Sequence, residues 1–95
     1  LNLVISRRGG LALACRAGAQ VLPLPIAGLM SDLDGRTVAE TYAQLDRGAK
    51  ALGSPLQAPF MTLAFMALLV IPDLKLSDRG LFSGTKWSEV PLFSE

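Results

Sequence analysis

Phe60-Met-Thr-Leu-Ala-Phe-Met-Ala-Leu-Leu-Val-Ile71 is the most apolar stretch of the chain, with one hydroxyl, no charge and no glycine between Pro59 and Pro72. A bilayer span needs roughly 20 apolar residues, so this run is too short to cross one. A run of this length reads as a buried core element. Pro59 suits the first position of a helix, where a missing N–H costs nothing. Phe60 to Leu68 is therefore expected to be a short buried helix. Val70 and Ile71 are β-branched and a strand would also fit. Periodicity cannot separate the two where every position is apolar.

On the N-terminal side of this run lies the clearest helix, Arg36 to Leu52. Val38, Tyr42, Leu45, Ala49 and Leu52 recur at helical spacing and form one apolar stripe, while Glu40, Gln44, Arg47 and Lys50 take the wet side. Thr37 with Glu40 would make a capping box if the helix began a turn late. Gly48 weakens the interior by about 1 kcal/mol relative to alanine, and Gly53 is the expected stop. Ser31, Asp32 and Asp34 are candidate caps. Asp32 and Asp34 alone offer too few oxygens for a metal site. Further back, Gly28 permits backbone angles closed to other residues.

Leu11 to Arg16 and Gln20 to Leu22, joined through Ala17-Gly18-Ala19, read as a β-hairpin closed by Pro23-Leu-Pro25. Period two places Leu11, Leu13 and Cys15 on one face, making Cys15 a small core residue. Leu1 to Ile5 followed by Arg7-Arg8-Gly9-Gly10 has the pattern of a helix end. Beyond the apolar run, Leu74 and Leu76 share a face of a short strand. Ser77-Asp-Arg-Gly80 makes a turn, Ser83-Gly84 another, and Trp87 to Phe93 reads as a last strand. The fold expected for residues 1–95 is α+β. It is a small single domain, with a mostly antiparallel sheet packed against one long amphipathic helix and one short buried helix.

Half of the residues are hydrophobic (51%) and the mean hydropathy is +0.41. Two accounts fit: surface kept for another domain or subunit, or simply a dense core. The net charge of +1, from 9 basic and 8 acidic residues, supplies no basic stripe for phosphates, so no nucleic-acid binding is expected. The apolar run has no basic flank for a membrane surface. Cys15 is the one cysteine, which rules out an internal disulfide and makes a reducing, cytoplasmic location the default. The chain starts at Leu1 without an initiator methionine and reads as a segment of something longer.

There is no histidine. The usual general base, the catalytic triads and histidine-bearing metal sites are therefore missing. A thiolate zinc cluster needs more than one cysteine. The carboxylates fall on caps, turns and a helix face, and Asp78-Arg79 is solvated turn chemistry. No catalytic, cofactor-binding or metal-ligating residue is expected within these residues.

Two blocks carry a resemblance. Leu22-Pro-Leu-Pro-Ile-Ala-Gly-Leu-Met-Ser-Asp32 resembles a signature near the end of bacterial adenine deaminases, members of the amidohydrolase superfamily. Pro59-Phe-Met-Thr-Leu-Ala-Phe-Met-Ala-Leu68 and Val70-Ile-Pro-Asp-Leu-Lys-Leu-Ser-Asp-Arg-Gly-Leu81 resemble the closing segment of that family, and Pro91-Leu-Phe93 its very end. The departures are Leu69 where a proline is expected, Asp34-Gly35 for a proline and a small residue, and Ala58 for an acidic cap. The resemblance implies a C-terminal domain of a longer enzyme. In that family the upstream part is a (β/α)₈ barrel with a dinuclear manganese or iron centre, whose hydroxide attacks C6 of adenine and releases ammonia and hypoxanthine. None of the family's metal ligands falls on this sequence.

The tail is then expected to be non-catalytic and to pack on its own upstream barrel or at a subunit interface, in a homo-oligomer. A sharper form has Gly28, Leu29, Met30, Ser31 and Asp32, with Phe60, Met61 and Thr62, facing the barrel mouth as a lid. The plainer alternative is that both stretches are intramolecular packing. An independent dimerising or regulatory module is the reading from a different class.

Overall fold

The computed structural model describes residues 1–93. The chain forms two compact units, Leu1–Phe60 and Met61–Glu95. In the first, helix α1 (Asn2–Ser6) leads into strands β1 (Gly10–Cys15) and β2 (Gly18–Pro23), and helix α2 (Gly35–Ala51) follows. Helix α3 (Pro59–Met66) begins at the end of this unit. The second unit carries strands β3 (Leu74–Ser77), β4 (Gly80–Ser83) and β5 (Ser88–Glu89). All pairings are antiparallel: β1 with β2 in one sheet, and β3, β4 and β5 in that order in another. The α+β class and the long helix stand as expected, whereas the one expected sheet is two.

The first unit is held by a few side chains. Leu22, Leu45 and Phe60 are buried, and Leu11, Leu13, Leu24, Val38, Tyr42 and Ala49 pack around them. Leu11 stands opposite Leu22 in the hairpin, so both meet α2 on one face. Leu45 is 0% exposed at the centre of the helical stripe. Four stripe residues reach this core; the fifth, Leu52, is the C-cap and is exposed. Gly48 gains a reason here. A Cβ at that position would overlap the Leu13 side chain, so glycine allows the helix to lie close to β1.

Asp34 is the N-cap of α2. Its Oδ1 accepts the N–H groups of Arg36 and Thr37, both at 3.1 Å, and its Oδ2 accepts the Thr37 hydroxyl. The Thr37–Glu40 capping box, which needed a start one turn later, is thereby displaced: the helix begins at Gly35 and Thr37 serves Asp34. At the far end Gly53, at φ 103°, donates to the Lys50 carbonyl while Ser54 donates to Ala49, a Schellman stop.

Helix α1 ends in the same way, with Arg8 donating to Ile5 and Gly9 to Val4. Here the left-handed residue is Arg8, at φ 59°, one position before the glycines. The glycines serve close approach instead. A Cβ on Gly10 would run into the Leu22 carbonyl, and one on Gly9 into Leu24 and Gly28 backbone.

Three expectations are corrected. Cys15 is exposed. It pairs with Gly18 beside the two-residue loop Arg16–Ala17, at the hairpin tip, and Leu11 and Leu13 alone of its face reach the core. The last strand spans only Ser88–Glu89. Trp87 before it is left-handed at φ 54°, and Pro91 after it has no N–H to donate. Third, α3 is a helix starting at Pro59, but only Pro59 and Phe60 are buried. Met61, Leu63, Phe65 and Met66 stay more than half exposed. A helix apolar on all sides needs cover on all sides, and no element among the described residues provides it.

Candidate functional site

The signature block forms a compact turn. Ile26 and Met30 make an isolated antiparallel bridge, and the N–H groups of Leu29 and Met30 both point to the Ile26 carbonyl, at 3.0 and 3.1 Å. Ala27 at φ 56° and Gly28 at φ 71° reverse the chain. Gly28 lies against Gly9, so the loop is anchored on backbone. The turn pushes two side chains outward: Leu29 is 80% exposed and Met30 59%. Ser31 Oγ accepts the Leu33 N–H at 3.3 Å, which fixes the exit of the turn. Asp32 lines a shallow depression of about 300 Å³ with Arg7, Arg8 and Pro25.

The second stretch divides. Phe60 is 7% exposed and sits edge-on to Tyr42, with ring centroids 6.2 Å apart, so it is committed to the core of the first unit. Met61 is exposed and Thr62 half-buried. Within the first unit the turn residues Gly28 to Asp32 come together; Phe60 is held apart from them in the core.

A larger groove, about 520 Å³, opens between the hairpin tip and the last turns of α2. Leu13, Cys15, Gln20, Gln44, Arg47 and Leu52 are among its lining residues. Sequence patterning missed it. Its signal was Gly48, which lines it and lets α2 lie close to Leu13 of β1.

The chemistry on offer is slight. Among the described residues no three His, Cys, Asp or Glu side chains converge as a metal site. A dinuclear manganese or iron centre does not fit these residues, and no step can be routed through one here. Lys50–Asp46, at 2.6 Å, is the one ion pair among the described residues. Asp34 has its carboxyl held below the usual value, first by the Thr37 hydroxyl and then by the Thr37 and Arg36 N–H groups, outweighing desolvation. That is cap electrostatics. Among the described residues the hydroxyls that meet a carboxylate, Thr37 on Asp34 and Thr85 on Asp73, are exposed. What the chain presents is apolar contact surface: the Leu29–Met30 turn in one unit, and in the other the sides of α3, Leu74, Leu76 and Trp87.

Residues 1–88 match the model of the adenine deaminase C-terminal domain family. This chain belongs to that family. It is 50% identical over 95 residues to an adenine deaminase of Methanosarcina acetivorans, covering 100% of this chain and 17% of the relative. It is 59% identical over 85 residues to one of Sulfurovum, covering 88% and 16%, and 54% identical over 94 residues to one of Salinibacter ruber, covering 98% and 17%. The chain thus spans about a sixth of the curated relatives it matches, and it corresponds to their C-terminal domain. No solved structure matches it. No helix among the described residues is long and apolar enough to cross a membrane.

Proposed function

We propose that this chain is the non-catalytic C-terminal domain of an enzyme that hydrolyses adenine to hypoxanthine and ammonia. The upstream part of the polypeptide would carry the manganese or iron and the catalytic groups. This part would pack on it, or at a subunit interface of a homo-oligomer, in the cytoplasm. The observation that carries the reading is the family match over residues 1–88 in a chain without histidine. The exposed apolar surface supports the packing role. With three buried hydrophobic residues as the core among the described residues, much of the hydrophobic excess lies at the surface.

The finer reading places the Gly28–Asp32 turn, with Met61 and Thr62, at the mouth of the catalytic barrel. Leu29 and Met30 support it, being apolar, exposed and fixed by a backbone-anchored turn. A purine ring is a flat apolar face that such side chains can cover.

The experiment follows ammonia release from adenine by the full-length protein purified with manganese. Rapid hypoxanthine formation there, with none from residues 1–95 alone, supports the reading. A full-length protein silent with either metal sinks it. Met30→Gln separates lid from packing. Lower turnover with an unchanged melting temperature fits a lid, and a lower melting temperature means packing.

A further inference from the structure

The ladder of the first sheet shows which backbone groups remain unpaired. Leu24 donates its N–H to the Gly9 carbonyl at 3.0 Å, so Gly9 and Leu24 are a hydrogen-bonded pair. Bonded and non-bonded pairs alternate along an antiparallel ladder. Leu11–Leu22, Leu13–Gln20 and Cys15–Gly18 are then the bonded pairs of the register. Gly10, Ala12 and Ala14 turn their N–H and C=O groups to the other side, away from β2.

On that side β1 has no neighbouring strand, and no hydrogen bond reaches those groups from elsewhere among the described residues. Nor does the edge carry the protections that sequence usually supplies. Its sequence, Gly-Leu-Ala-Leu-Ala-Cys, has no charge, no proline and no bulge. The outer side of β2 is blunted by Pro23, which has no N–H, and β3 carries Lys75. One face of the hairpin packs on α2 through Leu11, Leu13 and Leu22, but that packing leaves the outward N–H and C=O groups of β1 unpaired.

We propose that the outer edge of β1, from Gly10 to Ala14, pairs with a strand supplied by the polypeptide N-terminal to Leu1 in the full-length enzyme. The inference rests on the reading that this chain is the tail of a longer protein. More than four-fifths of the Methanosarcina acetivorans relative lies outside the match, and the matched family is a C-terminal domain, which puts that length upstream. The five-residue helix α1 is all that separates Leu1 from the turn into β1. A strand tethered in the same chain meets the edge at an effective concentration in the millimolar range. A second copy, pairing about Ala12, has no such advantage. Small side chains at Ala12 and Ala14 let the incoming strand pack closely.

The test is amide hydrogen exchange on the full-length protein, with fragmentation that resolves single residues. The Ala12 and Ala14 amides are expected to exchange at least about 100-fold more slowly than unprotected chain, as paired strand amides do. That result supports the strand whether or not the sample turns over adenine, which tests the earlier reading. Exchange within about threefold of the unprotected rate would overturn the proposal. Protection that disappears on dilution to monomer would overturn it too, by assigning the edge to a second copy. Ala12→Pro gives an independent arm. It removes the outward N–H, so it lowers the melting temperature if the edge is paired by more than Val21→Pro does on β2; an equal or smaller drop contradicts the pairing.

Discussion

Leu63 gives the sharpest handle on whether the sides of α3 are covered in the whole enzyme. It lies in the middle of the helix and is 60% exposed in this chain. Glutamine and leucine have nearly equal helix propensity, so Leu63→Gln leaves the helix itself undisturbed. If water covers that face, the substitution changes stability by no more than about 0.5 kcal/mol. If the rest of the polypeptide covers it, two costs appear. Burying a whole leucine is worth about 1.5–3 kcal/mol, so the exposed 60% accounts for about 1–2 kcal/mol. A glutamine amide left without partners adds about 1–3 kcal/mol. The sum is about 2–5 kcal/mol. The assay is pulse proteolysis of the full-length protein in urea, following release of the tail. With a slope of about 1–3 kcal/mol per molar, the midpoint should fall by about 0.7 M or more. A midpoint unchanged within error would refute the reasoning that α3 is an interface helix.

Three further outcomes follow from the first unit. Leu45→Ala should cost about 2–5 kcal/mol, because Leu45 is fully buried in a core of three residues; loss of the folded tail in the same proteolysis assay checks it. Gly10→Ala should cost at least about 1–3 kcal/mol, since φ is 153° and the added Cβ meets the Leu22 carbonyl; a melting temperature at the wild-type value would contradict this. Asp34 contributes acid sensitivity. Its folded-state pKa is depressed, so its stabilisation is fully present above the ordinary carboxylate value near 3.8 and is lost as pH falls through the lower folded value. Asp34→Asn keeps an acceptor for the cap but removes that dependence, so the mutant's melting temperature should fall less steeply with acid than the wild type's.

Much of the first unit was legible because its signals are local. The Val38–Tyr42–Leu45–Ala49 stripe, the Gly53 stop and the hairpin all follow from periodicity and turn chemistry. Gly28 likewise allowed backbone angles closed to other residues, and the structure gives it φ 71°. The boundaries were less readable. Asp34 and Thr37 competed for the cap, and backbone geometry decided it for Asp34. Cys15 fits a period-two face, yet period two does not say where the covering helix ends. Phe60 shows the limit most clearly. It was grouped with Met61 and Thr62 by sequence, but its contact with Tyr42 draws it into the core while Met61 stays exposed. The apolar run allowed a helix or a strand by sequence, and the structure makes Pro59–Met66 of it a helix. That its sides would stay exposed could not be read from it, because hydrophobicity favours burial without naming a partner.

The chain's three methionines, Met30, Met61 and Met66, are all more than half exposed here, and they stand on the surfaces assigned to contacts. Thioether oxidation follows exposure. The most direct test of the account is the rate at which peroxide oxidises each one in the full-length enzyme, read by mass spectrometry. The account predicts that Met61 and Met66 react at least about tenfold more slowly than free methionine, being covered by the rest of the polypeptide. It also predicts that Met30 becomes slower still when a non-hydrolysable adenine analogue is bound. Oxidation of all three at the free rate, with or without the analogue, would contradict it.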